Sequence, residues 1–432
     1  MILSVKWKQL WLSLAAAGAL CAQAVPEPPS SWPKTVTLDL AIQEAMAKNL
    51  DLAAERINVS IAEAREITAR LRPNPVLTIS GQTLNVFGAE YSPNTPFGPN
   101  QMNIHTDLPF ERAHKRDQRV GVAQADKSLA ELGVREVMRQ VINAVQNAFV
   151  DVQQAKNNLA LAQENLKSLE GVVSVNEARL NSGDLAEVEL DRSRVAALQY
   201  RTAVQQAQLQ LDQARTQLQY LMGRTQYAAD FDVTADLRRD ALVDSLPDIG
   251  QKALVARPDY LFGVQSQARS QADLRLQVAN GKVDYVVGAE YTRQQAWGIS
   301  ASSMGFYYSM PLPVFNKNQG EIARAQREIN LAVARRTALE ASINNEVEKA
   351  YRQYSVSRQL LTDVETNMLA RARSVRDTTE YSYRRGEATL VEFLDAQRAF
   401  NDTMQTFNDA RASYARSLYL IDTVSGATVS GT

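Results

Sequence analysis

Side chains that usually carry reaction chemistry are few and scattered in this 432-residue chain, which has 2 histidines, His105 and His114, and 1 cysteine, Cys21. A histidine-based metal site needs several ligands converging on one point, so two isolated imidazoles read as incidental. One cysteine excludes disulfides and thiolate metal sites. The sequence shows no nucleophile and base constellation, phosphate-cradling loop or metal triad, and its many carboxylates lie on helical faces without a histidine partner. No cofactor is expected, and an enzyme is the weakest reading. On spacing alone Glu392 and Asp395, three apart, form the solvated face of a helix.

The elements that must position these residues are very long helices. Val141, Val145, Ala148, Val152, Ala155, Leu159, Ala162, Leu166, Leu169 and Val173 advance by four and three in alternation. That 3.5-residue period lays one apolar seam along a helix that packs beside others. From about Gln118 to Leu180 the helix would run roughly 93 Å, far longer than a compact domain needs. After Asn181-Ser182-Gly183-Asp184 the chain turns, and Leu190, Ala197, Val204, Leu211 and Leu218 recur every seven residues. Phe393, Phe400, Phe407, Tyr414 and Ile421 repeat that series 203 residues later, and Gly386 and Gly426 follow Gly183 and Gly223 by the same offset. The helical hairpin is written twice. Gly183 and Gly386 permit the tight turns, where a positive φ is cheap only for glycine.

Prolines mark what lies between the hairpins. None occurs in residues 110–246 or 314–432, as long helices require. Before each hairpin come two short helices, Leu38 to Lys48 and Leu52 to Arg70, copied near Leu246 to Ala279 at an offset of 208. Then come two segments with period two: Leu77, Ile79 and onward with Met102, Ile104, Thr106, Leu108, Phe110, and in the copy Val283 to Tyr291 with Met304 to Leu312. About ten residues long and rich in aromatics, they match tilted transmembrane strands with a lipid face and a lumen face. A soluble hairpin with one buried face is the competing reading. Four strands cannot close a membrane barrel, and open edges cannot stand in lipid, so several chains would have to share one barrel.

Composition sets further bounds. With 47 Lys and Arg against 48 Asp and Glu, no basic surface suits nucleic acid. The N-terminus carries Lys6 and Lys8, an apolar stretch and Ala22-Gln23-Ala24, the form of a signal peptide ending at residue 24. Cys21 is then either discarded with the signal or a lipid acceptor, although Gly18-Ala19-Leu20 is a poor lipobox. No later stretch reaches the length of a membrane helix. The expected division is a leader (25–37), a first repeat (38–223, strand pair 76–109, hairpin 113–222), a linker (224–245), a second repeat (246–426, strand pair 283–312, hairpin 317–424) and a tail (427–432).

Over essentially all of the mature sequence this order resembles the TolC family of outer-membrane efflux proteins. The resemblance implies a mainly α fold with a membrane β-barrel portion. Three chains would each contribute four strands to a 12-stranded outer-membrane barrel, continued by an α-helical tunnel in the periplasm. Pro311-Leu312-Pro313-Val314-Phe315-Asn316-Lys317-Asn318-Gln319-Gly320 is similar to the strand-to-helix junction of the heavy-metal branch, the CzcC-like components of cobalt-zinc-cadmium efflux. The implied partners are outer-membrane lipid, a periplasmic adaptor protein and an inner-membrane resistance-nodulation-division pump. The stretch from Tyr383 to Ala396 resembles the family's periplasmic tip. By that match Glu392 and Asp395 fall at acidic gate positions, Tyr383 at a gating tyrosine and Glu189 at another acidic gate position. Gly183, Asp184, Gly386 and Glu387 fall at the tips facing the adaptor. In a trimer each carboxylate would become a ring of three like charges that attracts cations and raises its own pKa. Ala388 departs from the pattern, because the prototype has a latching arginine there; the latch is then either looser or made by Arg384 or Arg385 instead.

The function expected is a passive exit duct for divalent heavy-metal cations. The alternatives are a duct for drugs, solvents or secreted polypeptides and, from another class, a non-conducting periplasmic coiled-coil scaffold.

Overall fold

The computed structural model describes residues 34–82, 101–234, 236–296 and 299–427. Residues 1–33, which hold the expected signal peptide, Cys21 and most of the expected leader, and residues 83–100, 235, 297–298 and 428–432 lie outside the described residues.

The chain enters through β1 (Thr35–Val36), then folds into α1 (Leu38–Lys48) and α2 (Leu50–Arg70). Asn49 makes the joint between these helices: its Oδ1 accepts from Leu52 N at 3.0 Å, an N-cap, and its Nδ2 donates to the Leu221 carbonyl at 2.9 Å. Next come β2 (Val76–Gln82), β3 (Gln101–Phe110), the 67-residue helix α3 (Lys115–Asn181) and α4 (Glu187–Leu221). At 1.5 Å per residue α3 extends about 100 Å. β4 (Asp232–Val233) pairs in parallel with β1 and ties the linker to the N-terminal segment.

The second copy follows the same order: α5 (Leu246–Ala256), α6 (Pro258–Asn280), β5 (Tyr285–Ala296), β6 (Ile299–Ser309), then α7 (Gln319–Asp363), α8 (Leu369–Arg385) and α9 (Leu390–Ser425). A π-helical turn at Val364–Met368 joins α7 to α8. The first copy's long arm has no such turn. At the α5–α6 joint the counterpart of Asn49 is Arg257, buried and paired with Asp259 at 2.6 Å and Glu346 at 2.7 Å. A charge so placed is tolerated because two carboxylates meet it.

Each hairpin holds its own apolar core. Val141, Val145, Val152 and Leu159 of α3 meet Leu211 and Leu218 of α4, and Ile343, Val347 and Tyr354 of α7 meet Tyr414, Leu418 and Ile421 of α9. Where the hairpins touch each other, α3 against α9, amide pairs cross the interface, Asn158 with Asn408 (2.9 Å), and Asn165 with Asn401 (2.7 Å) and Gln397 (2.8 Å), beside apolar contacts of Val150 with Ala412, Ala415 and Tyr419. Amide pairs one heptad apart match only in one register, which fixes how the hairpins align.

The remaining strands form one antiparallel sheet in the order β2-β3-β5-β6, with β2 and β6 at its edges. Cross-strand rows alternate in character. Leu77, Thr106, Ala289 and Phe306 form one row, and Ile79, Ile104, Tyr291 and Met304 another on the same side. The rows between them carry Thr78, His105, Glu290 and Gly305, and Ser80, Asn103, Thr292 and Ser303, on the opposite side.

Candidate functional site

Two regions hold the expected functional residues: the hairpin tips at one end and the sheet at the other.

The tips are built by the same local device. Gly183 (φ +86°) and Gly386 (φ +80°) take the left-handed conformation that ends a helix. The next N–H then reaches back to an orphan carbonyl, Asp184 N to Arg179 O at 2.8 Å and Glu387 N to Ser382 O at 2.9 Å, the Schellman arrangement. The four expected tip residues Gly183, Asp184, Gly386 and Glu387 are exposed. Both tips lie in one bundle, since Leu169 and Val172 of α3, Ala196 of α4, Tyr383 of α8 and Leu390 and Phe393 of α9 share a single apolar cluster.

Tyr383 is buried within the chain. The resemblance implies a gating tyrosine, but the ring is only 2% exposed, stacked on Phe393 at 5.6 Å. Its hydroxyl donates to Asn176 Oδ1 at 2.7 Å. Burial pushes its pKa up. Within one chain Tyr383 is a bolt between the first and second hairpins, because an aromatic body with one polar tip is stable in a core once that tip is bonded.

The carboxylates are on the surface. Glu189 is half-buried in the first turn of α4. Asp395 is exposed, 3.9 Å from Arg398 on its own helix. Glu392 is also exposed, yet committed: Thr389 N donates to its Oε2 at 2.7 Å, and Glu392 N donates to Thr389 Oγ1 at 3.3 Å. This is a capping box at the start of α9. The Thr389 backbone N–H and hydroxyl hold the Glu392 carboxyl below the usual glutamate range. Its signal, Thr-x-x-Glu before an apolar run, stood in the sequence. Both candidate replacement latches are engaged locally, Arg384 with Glu380 at 2.6 Å and Arg385 over the Tyr381 ring.

At the sheet, the apolar rows have no cover among the described residues: Leu77 (63%), Ile79 (61%), Met304 (72%) and Phe306 (80%) are exposed. His105 sits 3.7 Å from Asp107, and His114 sits 3.2 Å from Asp117 at the start of α3. Among the described residues no group of three or more His, Cys, Asp or Glu side chains is placed to hold a metal ion, and no helix is long and apolar enough to cross a membrane.

This architecture has known counterparts. The chain is 24% identical over 375 residues to the cobalt-zinc-cadmium resistance protein CzcC of Cupriavidus metallidurans, covering 87% of this chain and 86% of that protein. It is 26% identical over 406 residues to the pyoverdine export outer membrane protein OpmQ of Pseudomonas putida, covering 88% and 83%. A crystal structure of CusC, from work on transmembrane channel formation, superposes with a TM-score of 0.71 at 19% identity, covering 90% of this chain and 92% of that one. The family model for outer membrane efflux proteins matches twice, over residues 41–224 and 250–427, once per structural repeat. Two matches of that extent make this chain a member of the outer membrane efflux protein family, a channel fold and not an enzyme.

Proposed function

We propose that the chain is one third of an outer-membrane exit duct. Three copies would close a 12-stranded barrel and a helical tunnel, passing substrate passively from periplasm to exterior in concert with a periplasmic adaptor and an inner-membrane resistance-nodulation-division pump. The observation that carries this is the sheet. Its apolar rows are exposed, with no element among the described residues to cover them, and its opposite side is polar, the arrangement of a strand with lipid on one face and water on the other. A scaffold without a pore would have no use for such a sheet.

The proposed cargo is divalent heavy-metal cations. Similarity to CzcC supports this, and passage would need no metal site in the duct wall. Similarity to the pyoverdine export protein OpmQ favours a second reading, export of a pyoverdine-like molecule. Growth of a deletion strain on zinc, cobalt and cadmium decides between them: sensitivity to the metals supports the first, and normal metal tolerance with an export defect supports the second.

The proposed gate is at the tips, with Glu189, Glu392 and Asp395 lining the bore and Tyr383 holding the two hairpins together behind them. Planar-bilayer recording of the membrane-extracted protein tests duct and gate together. The expected result is small, cation-selective current blocked by multivalent cations from the tip side, with the block weakened in Glu392→Gln/Asp395→Asn. Unaltered block in that double variant would remove the carboxylates from the gate. A soluble monomer without current would end the channel reading.

A further inference from the structure

Among the described residues the sheet ends in two free edges, β2 and β6, and the chain contains a template for what each edge fits. At the middle of the sheet the end of repeat one meets the start of repeat two: β3 pairs with β5, setting Leu108 opposite Val287 and Phe110 opposite Tyr285. The Phe110 and Tyr285 rings stack at 5.2 Å. Alongside, α3 packs on α6, where Arg269 pairs with Asp126 at 3.0 Å.

The two repeats correspond residue for residue in this region. His114 and Asn318 begin α3 and α7 with the same left-handed backbone, φ +53° and +63°. The segments before them, Leu108-Pro109-Phe110 and Leu312-Pro313-Val314, therefore correspond at the same separation as those two residues. Within each strand pair the register agrees: Leu77 lies opposite Thr106, and the counterparts of these two residues are Tyr285 and Met310. Extending the β5–β6 ladder one step beyond Val286 and Ser309 brings those counterparts together. The β3–β5 junction can thus be transferred onto β6 and the β2 of another copy.

Resting on the barrel reading above, we infer that copies of this chain join head to tail through β6 and β2 in one register: Leu312 opposite Ile79 of the next copy, and Pro311 opposite Ser80. Side-chain character agrees with that register. Leu312 then falls on the apolar side with Ile79, and Val314 with Leu77, while Pro311 meets Ser80 on the polar side. A shift by one residue would set apolar against polar along the whole seam. All four apolar residues of the seam are exposed in the single chain, Leu312 at 76% and Val314 at 68% among them. The difference between the two copies points the same way. Phe110 runs in a strand because Tyr285 pairs with it, whereas Val314 N, lacking a partner strand, turns back to the Leu312 carbonyl at 2.9 Å. One layer further, the position on α2 that matches Arg269 on α6 is Ile61, also exposed. The position on α7 that matches Asp126 is Asn330, so the ion pair inside the chain has no counterpart between chains. A junction of unlike surfaces is heterologous, and it closes into a ring when the rotation permits.

Cysteine cross-linking in a Cys21→Ser background tests the register, because opposed strand residues approach within disulfide reach and residues two positions off do not. The pairs Leu312→Cys/Ile79→Cys and Pro311→Cys/Ser80→Cys lie on opposite sides of the seam, so strand geometry cannot disfavour both. On oxidation at least one should yield covalent trimers, at least tenfold more than the shifted pairs Leu312→Cys/Leu77→Cys and Val314→Cys/Ile79→Cys. Native mass spectrometry of the extracted protein accompanies the assay. A trimer that cross-links through a shifted pair, or through neither matched pair, overturns this register and leaves the ring standing. A monomer overturns the ring itself.

Discussion

Tyr383 and Glu392, both expected at the gate, each hold together a part of their own chain. Tyr383→Phe would leave Asn176 Oδ1 buried without its donor, beside an Asn176 Nδ2 that has no partner among the described residues. An orphaned buried acceptor costs about 1–3 kcal/mol. Hydrogen exchange at the ends of α3 and α8 should therefore quicken by one to two orders of magnitude while the sheet is unaffected. Glu392 makes a pH prediction. Its folded pKa lies below the ordinary value of 4.5, so its contribution to the start of α9 is present above that value and lost as pH falls through the lower folded one. Exchange in the first turn of α9 should rise in acid, and Glu392→Gln should abolish that step. The Thr389 to Glu392 box was legible as a pattern. Tyr383's burial was not, because which face of a helix looks inward depends on a partner hairpin distant in sequence.

At the scale of elements, the four positive-φ glycines look alike in sequence and differ in what surrounds them. A Cβ at Gly183 meets open space, so Gly183→Ala costs only the left-handed backbone, about 1–2 kcal/mol. At Gly223 the same atom would lie 2.1 Å from the Lys48 carbonyl oxygen, where α4 ends against the α1–α2 joint. Gly223→Ala should therefore lower the thermal midpoint followed by circular dichroism several times more than Gly183→Ala, or prevent folding. The short helices, the strand pairs and both hairpins could be read from periodicity and proline placement, and the structure has these elements. The π turn at Val364–Met368 could not, since one wider hydrogen-bonded turn leaves no residue signature within a helical run. Nor could the amide seam between α3 and α9: Asn158 and Asn165 sit a heptad apart beside an apolar stripe, and only the facing helix shows that they are contacts.

For the whole molecule, the sheet separates two kinds of substitution. Phe306→Arg places a cation among exposed apolar rows, and if those rows meet lipid the cost is about 2–4 kcal/mol near the bilayer midplane. Membrane-inserted protein should fall sharply in fractionated cells. Ser303→Arg, three rows nearer the start of β6 and on the polar side, should insert normally and instead change conductance. Equal loss for both variants would argue for a soluble sheet with neither face in lipid. The unlike free edges have a consequence for genetics. A chain whose β6 side is blocked still offers a sound β2, so it enters rings that it prevents from closing. If a cell makes normal and blocked chains equally, only about one three-membered ring in eight contains none of the latter. Such an allele would be dominant, and its severity would follow the cube of the normal fraction.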